Sequence, residues 1–212
     1  MNYECQSWQG LLQQIVQLSG KGYHFYRLQQ LPVQKKDSWR DIDNKLIHKF
    51  RADLSKFQRA RQKVKKIANY KYLRWNGTVI IMHTLGAVPE SLGCEEFRLV
   101  KKEPIPIKVS DNIAMLVYFD EETCKFSTKL SNESYRGFKA VLDNACKLNR
   151  ERVRVEFNKL NGLPAWHGII SQKKALARYT IQEARRHNIQ ICRADLRLAT
   201  MRKIYPIYTP QD

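Results

Sequence analysis

The first third of the chain repeats apolar residues at helical spacing. Ser7–Leu18 has an apolar residue at every third or fourth position, which predicts a short amphipathic helix. The aromatic-rich stretch Tyr23–Leu31 stops at Pro32 and predicts a strand. Ser38 and Ser55 stand where N-caps belong, so two further helices are expected, the second reaching about Asn69. The apolar stripe of this last helix is expected to face the core, and it consists of Phe57, Ala60, Val64 and Ile67.

The middle of the chain predicts strands. Thr78–Thr84 is a continuous apolar run, which is typical of a strand covered on both faces. Pro, Asp-Asn and acidic turns separate the segments that follow, and this order indicates a meander of mostly antiparallel strands. Pro104 and Pro106 place one of these segments at a sheet edge or make it irregular. The four segments are Phe97–Lys101, Ile105–Val109, Ile113–Phe119 and Lys125–Leu130.

Helical spacing returns after Leu130. Ser131 is placed to cap one helix, Ser171 to cap another that reaches about His187, and a last helix is predicted over Ala194–Lys203. Between them, Val153, Val155 and Phe157 alternate with charged residues, so a strand and a helical continuation both remain open.

Together these elements predict an α+β protein. Its mostly antiparallel central sheet would have about five to six strands, flanked by basic amphipathic helices. Residues 1–160 are expected to form the α+β core domain, with the basic helix at 55–69. Residues 161–212 are expected to form a C-terminal basic helical segment, either as a second lobe or as part of the same domain.

Charge changes this picture more than hydropathy does. The 212 residues include 38 Lys and Arg against 20 Asp and Glu, a formal net charge of +18. A folded core does not require this excess, and self-repulsion works against the compact state. A polyanionic partner would relieve the repulsion, whereas basicity for solubility alone is the alternative. No basic amphipathic helix has a broad, bulky apolar face, so a membrane partner is not predicted.

Cysteine usage and the N-terminus bear on location. The five cysteines are odd in number and widely spaced, without a CxxC pair, which indicates thiols in a reducing compartment. No signal peptide and no run of 18 apolar residues is visible. The expected location is the cytoplasm, or the nucleus if the source has one.

The first basic cluster runs from Lys45 to Arg74, with eleven basic residues and one acid, Asp53. On the predicted helix the cations form a row beside the apolar stripe, and such a row matches a phosphate backbone. Ordinary solvated faces mix signs instead. The candidate nucleic-acid-binding residues on this helix are Lys56, Arg59, Arg61, Lys63, Lys65 and Lys66.

Aromatic residues interleave with cations directly after this helix. Aromatic faces stack on unpaired bases while cations hold phosphates, which favours a single-stranded partner. Packing of the same aromatic residues in the core is the alternative. The candidate residues are Tyr70, Lys71, Tyr72, Arg74 and Trp75.

The second basic cluster, from Lys147 to Lys203, has fourteen basic residues against four acids. Arginine predominates, and its planar fork suits phosphate better than lysine does. The candidate residues are Arg150, Arg152, Arg154, Lys173, Lys174, Arg178, Arg185, Arg186, Arg197, Arg202 and Lys203.

Catalytic chemistry is only weakly indicated. A nuclease would need carboxylates that hold metal ions, and Asp41, Asp43, Glu95, Glu96 and the turn Asp120-Glu121-Glu122 are the candidates. An enzyme of the HUH class would place two His on a strand and a nucleophilic Tyr on a helix. His83 at a strand end and Tyr135 or Tyr179 on a helix fit in part, but the second His is absent. No cofactor or metal site is predicted.

The sequence therefore predicts a non-enzymatic nucleic-acid-binding protein, with RNA favoured over DNA. It would belong to a ribonucleoprotein, for example of a mobile element or defence system, with other proteins of that complex as further partners. Two alternatives remain: a metal-dependent nuclease or HUH-like replication or transposition enzyme, and a structural protein whose basic faces meet an acidic protein.

Overall fold

The computed structural model describes residues 2–201 and 203–208. The chain folds into two compact units. Among the described residues, the first unit contains 2–105, 118–126 and 205–208, and the second contains 106–117, 127–201 and 203–204. The division at residue 160 that the sequence suggested stays a prediction.

Six α-helices and seven strands make up the described part of the chain, in an α+β arrangement as predicted. The helices are α1 (Trp8–Gly20), α2 (Trp39–Lys49), α3 (Lys56–Val64), α4 (Asn132–Cys146), α5 (Arg150–Lys159) and α6 (His167–Arg186). The strands are β1 (Tyr23–Gln30), β2 (Tyr70–Trp75), β3 (Thr78–Thr84), β4 (Arg98–Leu99), β5 (Ile105–Lys108), β6 (Ala114–Asp120) and β7 (Lys125–Leu130).

The first unit is built on a four-stranded antiparallel sheet with the order β2-β3-β1-β4. The all-apolar centre of β3 lies between β2 and β1, and six of the seven residues of this strand are buried. A two-residue turn, Asn76-Gly77, joins β2 to β3, and Asn76 adopts a positive φ of 48° there. Helix α1, whose N-cap Ser7 Oγ accepts from Gly10 N at 3.1 Å, packs on β1 and β2.

The core beneath this sheet gathers side chains from α2 and the neighbouring strands. Because side chains alternate along a strand, every second residue of β2 turns toward this core. The buried residues of the cluster include Ile47 and Phe50 near the end of α2, with Tyr70, Tyr72, Val79 and Ile81 from the sheet.

A separate three-stranded antiparallel sheet has the order β5-β6-β7. The hairpin tip, residues 118–126, belongs to the first unit, and the rest of β6 and β7 belongs to the second. In the second unit, α4 packs against α5 and α6. The N-cap Ser131 Oγ accepts from Ser134 N at 3.2 Å, as its position in the sequence predicted.

The expectation of one central sheet of five to six strands is wrong, because the strands form two smaller sheets. Only two residues of the Phe97–Lys101 segment pair with β1, and they form the short edge strand of the first sheet. Pro104 and Pro106 follow directly, and a proline lacks the N–H that would continue a ladder. The chain therefore starts a new sheet at β5.

The structure decides one alternative that the sequence left open, and it corrects one helix prediction. Val153–Phe157 lies in α5, so the helical alternative holds there. The helix predicted over Ala194–Lys203 is absent from its described part, where a short 3-10 helix, Arg193–Asp195, is followed by irregular chain. The Asp195 side chain accepts from Cys192 N at 3.0 Å and so caps this single turn.

Candidate nucleic-acid interface

Helix α3 places cations on the surface of the first unit. A capping box starts the helix: Ser55 Oγ accepts from Gln58 N at 3.2 Å, and Ser55 N donates to Gln58 Oε1 at 2.8 Å. No residue of α3 is buried. The helix and the two residues that follow it carry six cations, here called the α3 cations, which are Lys56, Arg59, Arg61, Lys63, Lys65 and Lys66.

The α3 cations have no acidic partner within the described ranges. No carboxylate there lies within 4.0 Å of any of their nitrogen atoms. The sequence explains this locally, because no Asp or Glu occurs between Asp53 and Glu90. The Arg59 guanidinium donates to the Leu54 carbonyl, which satisfies a donor but leaves the charge uncompensated. Counterions from the solvent or an anionic partner must balance this charge.

A smaller group of cations lies at the start of β2. Lys71 is half-buried there, and its burial lowers the pKa of its ammonium group. The positive charges of Arg59 and Lys21 lower this pKa further, and no acid opposes them. Arg59 and Lys21 therefore both repel Lys71, and an anion bound beside Lys71 would offset this repulsion.

The structure places Tyr70, Tyr72 and Arg74 in the core, which supports the packing alternative for these candidates. Tyr72 is fully buried and its hydroxyl donates to Asp43 Oδ1 at 2.5 Å. Arg74 is 5% exposed, and its Nε donates to Asp43 Oδ2 at 2.8 Å. Its second nitrogen lies 2.9 Å from a Glu4 carboxylate oxygen. These buried residues stabilise the fold and are not accessible to a partner.

Alternation along β2 separates two faces of this segment. Tyr70, Tyr72 and Arg74 share the face that α2 covers, whereas Lys71, Leu73 and Trp75 lie on the opposite face, where Leu73 is buried and Lys71 and Trp75 remain half-buried at the ends of the strand. Asn76-Gly77, a strong hairpin signal between two runs of strand-forming residues, could have revealed this strand and its alternation from the sequence.

Four arginines of the second cluster are paired with acids. Arg150 contacts Asp195 at 2.6 Å, Arg152 contacts Glu156 at 2.9 Å, and Arg154 contacts Glu151 at 3.1 Å. Arg186 contacts Glu183 at 2.9 Å. These four arginines are exposed, but each one lies against its own acid, so their charge is not left for a partner.

Lys173 is buried, with 2% of its surface exposed, and its Nζ donates to the Leu163 carbonyl at 3.2 Å. It is therefore another candidate that the structure places away from the surface. Arg202 lies outside the described residues.

Five candidates of the second cluster remain exposed without a carboxylate partner among the residues that the structure describes. Three of them share one face of α6, because they are separated by four and by seven residues. They are called the α6 row, and they are Lys174, Arg178 and Arg185. The other two are Arg197 and Lys203.

The catalytic candidates occupy positions that do not favour catalysis. His83 is 5% exposed, and its ring stacks on Phe25 with a centroid distance of 4.7 Å. Burial lowers its pKa, and its Nδ1 lies 2.9 Å from the Thr84 carbonyl oxygen. Burial raises the pKa of Tyr135, and a hydrogen bond to Asp143 raises the pKa of Tyr179 to about 12. A nucleophilic phenolate would need the opposite shift.

Two of the candidate metal ligands serve in ion pairs instead. Asp43 binds Arg74, and Glu95 lies against Arg27 and Lys49. Within the described residues, no group of three or more His, Cys, Asp or Glu side chains is arranged to hold a metal ion.

Sequence reasoning missed Lys21. It lies in the loop after α1, 50 positions before Lys71 in the chain, and neither cluster includes it. Only the packing of α1 on the sheet brings its charge near Lys71, so no local pattern could have found it.

Comparisons of the chain with protein families, with curated proteins and with solved structures find no match. No described helix combines the length and the apolar character needed to cross a membrane.

Proposed function

We propose that the chain binds the phosphate backbone of a nucleic acid through the α3 cations. One observation carries this proposal: five neighbouring cations are exposed to solvent beside the half-buried Arg59, and no carboxylate of the described residues compensates any of the six. Phosphates that replace the surrounding counterions release them into solution, which drives binding without any requirement for sequence. Lys71 and Lys21 extend this surface beyond the helix.

The α6 row supplies a second set of phosphate ligands in the other unit. A chain with two separated sets of cations suits an irregular, folded RNA better than a uniform duplex. RNA is therefore the expected partner, bound without catalysis in a ribonucleoprotein. Base stacking has less support than the sequence suggested, because Tyr70 and Tyr72 are buried and only Trp75 of that segment keeps an accessible aromatic surface.

The test removes three of the α3 cations together, as Lys63→Gln, Lys65→Gln and Lys66→Gln. With about six phosphates contacted, the logarithm of the affinity of the unaltered chain should fall against the logarithm of salt concentration with a slope of about −5. The triple variant should show a slope of about −2, since three contacts are lost, and binding should weaken about equally for all sequences. Fluorescence anisotropy with labelled RNA and DNA over a salt series measures this.

A control variant loses the same charge elsewhere, as Arg98→Gln, Lys108→Gln and Arg154→Gln. Each of these exposed side chains is paired with an exposed acid, so its removal should affect neither the fold nor the slope. Circular dichroism confirms that both variants fold. If the two triple variants weaken binding equally, only net charge matters and the α3 surface has no specific role. If the unaltered chain binds neither nucleic acid, the proposed function is wrong.

A further inference from the structure

Helix α3 carries its apolar stripe on the outside. Phe57 is 77% exposed and Val64 is 84% exposed, whereas Arg59 and Gln62 on the other side of the helix are half-buried. The expectation that this stripe faces the core is therefore wrong. Large apolar side chains gathered on a surface mark a site where something else covers them.

The loop that follows β3 adds two more exposed apolar residues beside the segment after α3. Leu85 is 80% exposed and Val88 is 41% exposed. Backbone bonds fix this loop, since Ala87 N donates to the Lys66 carbonyl at 2.7 Å and Ala68 N donates to the Ala87 carbonyl at 3.0 Å. A side chain at Gly86 would lie 2.6 Å from Ala68 N, so only glycine allows this approach.

A cavity of about 460 Å³ opens beside this loop. Apolar side chains form most of its wall, and Lys49, Arg51 and Gln62 contribute the polar part together with Glu90 and Ser91. Arg51 is exposed and has no carboxylate partner within the described part of the chain. The apolar wall consists of Phe50, Ile67, Ala68, Tyr70, Ala87, Val88, Pro89 and Leu92.

The chemistry of this cavity favours a protein side chain as its occupant. A nucleobase laid over the exposed side chains of Val64, Leu85 and Val88 would find no hydrogen-bond partner for the polar edge of its ring there. A leucine, phenylalanine or tryptophan side chain loses nothing there, and such anchors carry most of the binding energy in protein interfaces.

The surrounding charge selects among protein partners. A second copy of this chain would bring its own α3 cations against these, since a two-fold interface pairs each surface with itself. Like charges placed together disfavour that complex, whereas carboxylates would neutralise Arg51 and the α3 cations. An acidic partner therefore fits where a second copy does not.

We propose that the outer face of α3, the loop Leu85–Val88 and the adjoining cavity form a docking site for an acidic protein segment with a bulky apolar anchor. The anchor fills the cavity, whose wall includes Gln62 on the inner side of α3. The segment then passes around the end of α3, so that further apolar side chains cover Val64 and Phe57 and flanking Asp or Glu side chains face the cations. This surface goes beyond phosphate binding and links the chain to another protein.

The experiment selects ligands from a displayed library of random 16-residue peptides with the full chain as bait. Selected peptides should be rich in Asp and Glu and contain at least one bulky apolar residue. The affinity of a synthesised selected peptide should fall about tenfold or more in the double variant Phe57→Ser, Val64→Ser and also in Val88→Ser. These positions are exposed or partly exposed, so the fold should persist.

A matched control replaces two apolar residues that are exposed elsewhere, as Val33→Ser and Leu148→Ser, and should leave peptide affinity unchanged. The proposal is overturned if no peptides are enriched, if the enriched peptides lack acidic residues, or if the double variant binds them as the unaltered chain does. It is also overturned if the double variant abolishes self-association in sedimentation at low salt, or abolishes binding to vesicles of phosphatidylcholine and phosphatidylserine. Fluorescence anisotropy with labelled RNA distinguishes failure of this proposal from failure of the proposed function. The double variant keeps all six α3 cations, so its affinity for RNA should equal that of the unaltered chain.

Discussion

Lys173 is the most deeply buried cation among the described residues. Its ammonium group has one protein acceptor, the Leu163 carbonyl, and no carboxylate partner in the described chain. Burial lowers its pKa from 10.5 to about 8. At neutral pH the folded protein therefore keeps a charge in a place that disfavours it, and this reduces the free energy of unfolding.

Replacement of Lys173 by Met should stabilise the protein at pH 7, by about 2 kcal/mol, because Met fills similar space without the charge. The gain should shrink as the pH rises. Between about pH 8 and 10.5 the unfolded chain binds more protons than the folded one, so the stability of the unaltered protein increases with pH across this window. Urea unfolding of both proteins at pH 7 and pH 10 measures the difference. A difference that does not change with pH would show that Lys173 does not titrate in this range.

At the scale of single residues, the sequence could predict how many cations there are but not what each one does. Lys71 and Arg74 lie three positions apart in the same aromatic segment, yet Arg74 is buried against Asp43, which precedes it by 31 positions. Recognition of the strand would have separated the two by parity. The identity of the carboxylate partner depends on tertiary packing, which periodicity does not encode.

Two helices end on cations where glycine is the usual residue. Lys66 has a φ of 56° just after α3, and Arg51 has a φ of 50° just after α2. Both ends show the same pair of closing bonds, for example Lys66 N to the Lys63 carbonyl at 3.1 Å and Ile67 N to the Gln62 carbonyl at 3.0 Å. A side chain is strained in this conformation, so these positions keep a cation at a cost in stability.

Lys66→Gly should therefore raise the free energy of unfolding by roughly 0.5 to 1 kcal/mol, because glycine adopts this conformation without strain. The same change should weaken RNA binding and reduce the salt slope by about 1, since one phosphate contact is lost. Chemical denaturation and anisotropy measure the two effects.

Asn188→Gly is the matched control, since Asn188 occupies a similar position after α6 with a φ of 56° and carries no charge. It should leave binding unchanged. A Lys66→Gly variant that binds RNA as well as the unaltered chain would place Lys66 outside the interface.

At the scale of elements, caps and periodicity located α1, α4 and β3 well, because the signals that start or bury these elements are local. The extent of α3 was overestimated, since it ends at Val64 and the chain from Ile67 onward bonds to the loop at Ala87. The predicted orientation of α3 was also wrong, because its apolar stripe faces solvent and not the core. An apolar stripe shows that one side of a helix needs cover, but the stripe does not say whether that cover comes from the same chain.

At the scale of the whole molecule, the α+β class followed from the order of the elements, but the number of sheets did not. Sheet membership depends on which strand edges meet, and the two paired residues of β4 were enough to assign its segment to the first sheet. The net charge of +18 likewise divides in a way that composition does not show. In the second cluster each of the four acids pairs with an arginine, although the net charge of the cluster stays positive, whereas the α3 cations have no acidic partner in the described chain.

The outward stripe of α3 also affects how the isolated chain behaves in concentrated solution. In dilute buffer, cations around Phe57 and Val64 keep two copies apart. At about 1 M salt this repulsion acts over only about 3 Å, so the stripes of neighbouring copies can meet. Light scattering should therefore detect growing particles as sodium chloride is added, and less growth in the Phe57→Ser, Val64→Ser variant. A chain that precipitates in low salt and clears in high salt would have the opposite balance, with charge pairing rather than apolar contact holding its copies together.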